Sequence, residues 1–143
     1  MHPDHLQAAL ARWREILGAG HVFTEAADLR PYENNVSGLR RSIPAVLRPA
    51  STEEVCAVVQ VANEWGTPLY PISRGKNWGL GSRLPVRDGC VVVDLGRMDR
   101  IREVNVAAHY AVIEPGVTQR QLYDYLCEHR LPLVLNVIGS GLD

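Results

Sequence analysis

Leu6, Leu10, Trp13 and Leu17 recur at helical spacing and stop before Gly18 and Gly20, so residues 4–17 read as an amphipathic helix. Residues 24–33 add a short helix with Thr24 as its cap and Pro31 near its end, followed by a polar linker from Asn34 to Pro44. Ala45–Arg48 is a short strand. Ser51 and Glu54 then form a capping box for a helix with Val55, Val58, Val59, Ala62 and Trp65 on one face. Gly66 and Pro68 end it, and Leu69–Ile72 is the next strand, which makes 45–72 a βαβ unit.

Arg87-Asp88-Gly89 marks a turn before Cys90–Leu95, a buried strand. Ile101–Val106 and Ala111–Glu114 read as two further strands around a turn at Ala107–His109. Thr118 and Gln121 suggest a second capping box, on a helix carrying Leu122, Tyr125 and Leu126, and Leu131–Val134 reads as a last strand. The fold class is α+β, with no internal repeat or low-complexity tract.

A chain of 143 residues, 46% hydrophobic and 22% charged, describes one globular domain with a single core. Its net charge of −1 and scattered arginines argue against a nucleic-acid partner; only Arg40–Arg41 form a basic pair. Cys56, Cys90 and Cys127 are unclustered and each adjoins apolar residues, so all three read as small buried hydrophobes in a reducing compartment. The five histidines are dispersed, and no metal site is expected. No apolar run approaches the roughly 20 residues of a membrane span, and the N-terminus lacks the pattern of a signal peptide. The expected location is cytoplasmic.

The chemistry concentrates in residues 68–82, PLYPISRGKNWGLGS, where an apolar strand runs into a glycine-rich loop. Gly75, Gly79 and Gly81 permit backbone N–H groups to close around an anion, for which a phosphate or pyrophosphate is the natural guest. Lys76, the only lysine of the chain, stands in this loop beside Arg74 and Asn77. Neither the Walker pattern nor the Rossmann G-x-G-x-x-G pattern is met, because Pro85, a turn and a strand follow the glycines. A phosphate here is held by loop amides, not by a helix dipole.

Five segments in order carry a resemblance. They are Val46–Val55, Pro71–Gly79, Val92–Leu95, Ile113–Thr118 and Gly139–Gly141. From Pro44 to Gly141 the chain resembles the first half of the FAD-binding domain of the vanillyl-alcohol oxidase/p-cresol methylhydroxylase superfamily. The resemblance implies an N-terminal helical segment and linker (1–43), then a partial FAD-binding domain (44–143).

It further implies that Ser73, Arg74, Gly75, Lys76 and Asn77, extended by Trp78, Gly79, Gly81 and Ser82, face the FAD diphosphate. Pro49 would lie near the adenine end. Pro115, Gly116 and Val117, after Glu114, would pass close to the cofactor, and Gly139, Ser140 and Gly141 would line the flavin side. Arg74 and Lys76 either add positive field or face solvent, and Trp78 is either a core anchor or a lid. Tyr110, Tyr123 and Tyr125 read as packing residues with outward hydroxyls, and His109 as a turn residue.

The implied activity is that of an FAD-dependent oxidoreductase acting on a small alcohol or aromatic, benzylic-type substrate. An electron-acceptor partner or an oligomer is compatible with it. Leu80 stands where phenol-oxidising members carry a tyrosine, and leucine cannot donate a hydrogen bond. Residues 73–82 hold no histidine for a covalent flavin link. The Gly-Ser-Gly loop at the end of the chain suggests truncation. The alternative readings are a stand-alone nucleotide- or diphosphate-binding module and an inactive remnant.

Overall fold

The computed structural model describes residues 3–33, 35, 38–75 and 83–135. Helix α1 (Pro3–Leu17) leads through a 3-10 turn to strand β1 (Val22–Phe23), then α2 (Ala26–Leu29) and a second 3-10 turn at Arg30–Tyr32. Strand β2 (Val46–Leu47), helix α3 (Thr52–Glu64), β3 (Leu69–Ile72) and β4 (Val91–Asp94) follow. The hairpin β5 (Ile101–Asn105) and β6 (Tyr110–Ile113) and helix α4 (Gln119–Glu128) complete the α+β fold.

Four strands form one sheet in the order β1-β2-β4-β3; β1 is antiparallel to β2, and β2, β4 and β3 are mutually parallel. The βαβ unit is present, but β4 is inserted between its two strands. Physical demand explains the order. Every residue of β4, Val-Val-Val-Asp, is buried, which suits a central strand covered on both faces. Pro71 lacks the N–H a central strand needs, and β3 takes the edge.

The alternation of β2 and β4 sorts their side chains to two cores. Ala45, Leu47, Val91 and Val93 pack with Trp13, Val58 and Ala62 of α1 and α3. Val46 and Val92 face the other way, onto Leu29, Ile43, Ile72 and the half-buried Tyr32. Strand periodicity therefore sends Asp94, two residues after Val92, to the face of Tyr32.

Ser51 and Thr118 cap their helices as the sequence predicts, with one complete box between them. Thr118 Oγ1 accepts from Gln121 N–H at 3.1 Å while Gln121 Oε1 accepts from Thr118 N–H at 2.8 Å, the full reciprocal box. At α3, Ser51 Oγ accepts from Glu54 N–H at 3.2 Å, but Glu54 Oε2 reaches back to Ala50 N–H at 2.7 Å instead of to Ser51.

Several expectations are corrected. The residue capping α2 is Glu25, without a side-chain bond, and Thr24 Oγ1 instead accepts from Arg14 Nη2 at 3.5 Å. Leu131–Val134 is not a strand: among the described residues the hairpin pairs only with itself, and residues 132–135 share a cavity with it and α4 without joining its ladder. Val22–Phe23, too short to show a period, is a strand that the pattern did not signal. Cys90 is buried, whereas Cys56 and Cys127 are exposed, because each lies on the outer side of its helix.

Trp13 is the largest fully buried side chain among the described residues, and its indole N–H donates to Val58 O at 3.1 Å across the α1–α3 contact. Trp13→Phe keeps an aromatic ring but forfeits that bond and part of the filled volume. A loss of about 2 kcal/mol in urea unfolding is expected, with an unchanged denaturant slope.

Candidate functional site

Because β2, β3 and β4 run parallel, their C-terminal ends open at one edge of the sheet, the position at which open α/β sheets bind ligands. Each strand is followed there by an arginine: Arg48 after β2, Arg74 after β3 and Arg97 after β4. The turn Leu95–Met98 joins them. Arg97 Nη1 donates to Arg48 O at 2.7 Å, and Arg74 Nη1 donates to Gly96 O at 3.3 Å. The turn is closed by Met98 N–H on Leu95 O at 3.0 Å and docked on β3 by Leu95 N–H on Ile72 O at 2.9 Å.

Asp94, only 8% exposed, sits beneath this turn. Its Oδ1 accepts from Gly96 N–H at 2.8 Å, and its Oδ2 accepts from the Tyr32 hydroxyl at 2.7 Å. Arg48 Nε is buried without a hydrogen-bond partner and lies 3.8 Å from Asp94 Oδ2. Burial and the bond to Asp94 push the Tyr32 hydroxyl up to about 12, so it stays protonated and donating across the neutral range.

Gly75 adopts φ +64°, a left-handed conformation that favours glycine. Its carbonyl accepts from Arg83 Nε at 3.3 Å, and the Arg83 guanidinium carbon lies 5.5 Å from the centre of the Tyr32 ring. Gly116 approaches the same hub from the other side. Its N–H donates to Met98 O at 2.7 Å, and an added Cβ would stand 2.6 Å from Met98 O and 2.8 Å from Gly96 O. Gly116 is thus pressed against protein backbone, not open space.

Glu114 closes the base of the hairpin. Its Oε2 accepts from Arg100 N–H at 2.9 Å, and its Oε1 accepts from Arg100 Nη2 at 2.9 Å and Arg102 Nη2 at 2.7 Å. The Arg100 side chain first, then its backbone N–H and Arg102, hold the carboxyl down at about 2. Both arginines are half or more exposed, while the Glu114 side chain is 3% exposed.

Of the residues expected to face the diphosphate, Ser73 is exposed and Arg74 and Gly75 are half-buried beside the turn. Lys76, Asn77, Trp78, Gly79, Gly81 and Ser82 lie outside the described residues, as do Leu80 and the Gly139, Ser140 and Gly141 group. Pro115 is exposed, Gly116 buried and Val117 half-buried. The structure brings 73–75 and 115–117 together through Gly96, which Arg74 and Gly116 both touch.

Tyr110 and Tyr125 act locally: the Tyr110 hydroxyl donates to Glu103 at 2.6 Å, and Tyr125 stacks on His129 with centres 4.0 Å apart. His109 occupies the hairpin turn with φ +55°. No group of three metal-ligating side chains occurs among the described residues, and no described helix is long and apolar enough to cross a membrane.

The bracing role of Asp94 had a signal in the sequence, a lone carboxylate ending an apolar strand, and Glu114 repeats it after Tyr-Ala-Val-Ile. Tyr32 had none, because its partner is 62 residues away.

Two outcomes are expected. The folded Glu114 carboxyl lies below its ordinary value of 4.5, so its contribution is full above about 4.5 and is lost as pH falls towards about 2. Glu114→Gln should lower stability at neutral pH and flatten the decline across that window, measured by urea unfolding at stepped pH. Gly116→Ala should cost about 2 kcal/mol by the same assay, since the methyl meets fixed carbonyls.

The FAD binding domain family matches residues 43–141. The chain is 46% identical over 143 residues to 1'-carboxy-chondrochloren decarboxylase of Chondromyces crocatus, covering 100% of this chain and 26% of that protein. It is 37% identical over 131 residues to the 4-cresol dehydrogenase [hydroxylating] flavoprotein subunit of Pseudomonas putida, 90% of this chain and 25% of the relative. The crystal structure of p-cresol methylhydroxylase with substrate bound superposes with a TM-score of 0.90 at 34% identity, over 96% of this chain and 27% of that one. The chain therefore spans about a quarter of the length of the curated relatives it matches. It belongs to the FAD-binding domain family that includes p-cresol methylhydroxylase, it covers the N-terminal part of that domain, and its cofactor is FAD.

Proposed function

We propose that this chain supplies the diphosphate-holding part of the FAD cleft in a flavin-dependent oxidoreductase. The observation that carries the reading is the convergence of Arg48, Arg74 and Arg97 on one turn at the C-terminal ends of three parallel strands. The donor set suits the group. FAD carries two negative phosphates, and guanidinium groups with neighbouring amides are the donors that match them. Ser73, Arg74 and Gly75, with residues 76–82, would hold the diphosphate; residues 115–117 and 139–141 would border the rest of the cofactor.

When bound, FAD supplies hydride acceptance, and the protein contributes position and field. The residues of this chain do three things in that scheme. Asp94 fixes the 95–98 turn, Arg74 and Arg97 bring positive charge to the strand ends, and Gly116 lets residues 115–117 lie flat on that turn.

A small alcohol or aromatic substrate with a benzylic-type carbon fits the relatives, whose structures include p-cresol methylhydroxylase with substrate and a 4-ethylphenol oxidase with isoeugenol. Leu80 argues for recognition of the substrate by something other than a phenol-binding tyrosine at that position. An electron acceptor or a second subunit completes the picture. A reducing, cytoplasmic setting is supported by three free thiols. We place the family boundary near residue 43, although α1 and β1 pack into the same core as the residues after it.

Calorimetric titration tests the reading. FAD should bind more tightly than ADP, and Arg74→Ala should weaken both about tenfold, with a loss that shrinks at high salt. Equal affinity for the two ligands would instead support a module that grips only the diphosphate. No heat from either ligand at millimolar concentration would overturn the assignment.

A further inference from the structure

Tyr32 lies outside the family-matched residues, in the N-terminal segment, yet it touches both arms of the strand-end site. Its hydroxyl donates to Asp94 Oδ2 at 2.7 Å, and Asp94 in turn holds Gly96 N–H at 2.8 Å. Its ring lies under the guanidinium of Arg83, whose Nε donates to Gly75 O at 3.3 Å. Gly75 and Arg83 flank residues 76–82. One side chain is therefore connected to both flanks of the glycine-rich loop and to the turn on which Arg74 rests.

The position of Tyr32 is itself well determined. It closes the 3-10 turn Arg30–Tyr32 and packs against the Leu29, Ile43, Val46, Ile72 and Val92 core. The next residue, Glu33, accepts Arg41 N–H on its carbonyl at 2.9 Å, which pins the segment to the stretch leading into β2.

We propose that Tyr32 is a positioning residue for the strand-end site, its hydroxyl fixing Asp94 beneath the 95–98 turn and its ring seating Arg83 against Gly75. The N-terminal segment is then a working part of the cofactor site and not only a cover for the core. The ligand consequence rests on the function proposed above; the geometric consequence does not.

The test compares Tyr32→Phe, which removes only the hydroxyl, with Tyr32→Leu, which also removes the ring, in the full chain. Amide hydrogen exchange is read at Gly75, Arg83 and Gly96 and, as a reference, across α1 and α3. Calorimetry with ADP and FAD gives the second readout. Tyr32→Phe should speed exchange at Gly96 and weaken ADP and FAD about tenfold and in equal proportion. Tyr32→Leu should extend the faster exchange to Gly75 and Arg83 and weaken both ligands further, with α1 and α3 unchanged.

Combining Tyr32→Phe with Asp94→Asn should cost no more affinity than the larger single change, because both interrupt one connection. Exchange that rises uniformly, including in α1 and α3, or that stays at the wild-type rate at Gly75, Arg83 and Gly96, would overturn the proposal. So would additive losses in the double variant. If the wild-type chain binds neither ligand, the proposed function fails while the exchange pattern still decides the role of Tyr32.

Discussion

A carboxylate at the end of the most buried strand is costly unless its oxygens find donors, and Asp94 finds them in Gly96 N–H and the Tyr32 hydroxyl. That requirement orients the 95–98 turn. Once the turn is set, Arg97 lies across the backbone of Arg48, Arg74 reaches Gly96 O, and Gly116 settles against the same carbonyls. The strand-end site is thus the outward face of a local solution to a burial problem.

Glu114 answers the same problem with different chemistry. It too ends an apolar strand, but its donors are the backbone N–H and guanidinium of Arg100 and the guanidinium of Arg102. The protein pairs a nearly sealed carboxylate with cations that reach out into water, so only one partner of each ion pair bears the desolvation cost. The two acids mark where the parallel sheet and the hairpin each hand the chain to the loops proposed to hold the cofactor.

Much of this was legible in the sequence, and the reasons are physical. Helices α1 and α3 span enough turns to display a period, and the Thr118–Gln121 box is a contact three residues long. The family resemblance rested on short segments in order, and the fold and cofactor followed. What the sequence concealed was non-local. The insertion of β4 between β2 and β3 depends on which strand can be covered twice, and the Tyr32–Asp94 bond spans two segments with no shared motif. Strand β1, at two residues, is below the length at which alternation carries information. The cysteines failed for a simpler reason: adjacency to apolar residues does not say which side of a helix faces out.

The hairpin has a different standing from the sheet. Among the described residues it holds two strands, and Tyr110, Val112 and Ile113 on β6 remain more than two-fifths exposed, while Val104 and Ala111 line a cavity shared with Leu122, Leu126 and Pro132. Two-stranded ribbons of this kind are marginal in water. The described residues thus divide into a layered half built on Trp13 and a ribbon tied at its root by the Glu114–arginine ion pairs and across its strands by the Tyr110–Glu103 hydrogen bond.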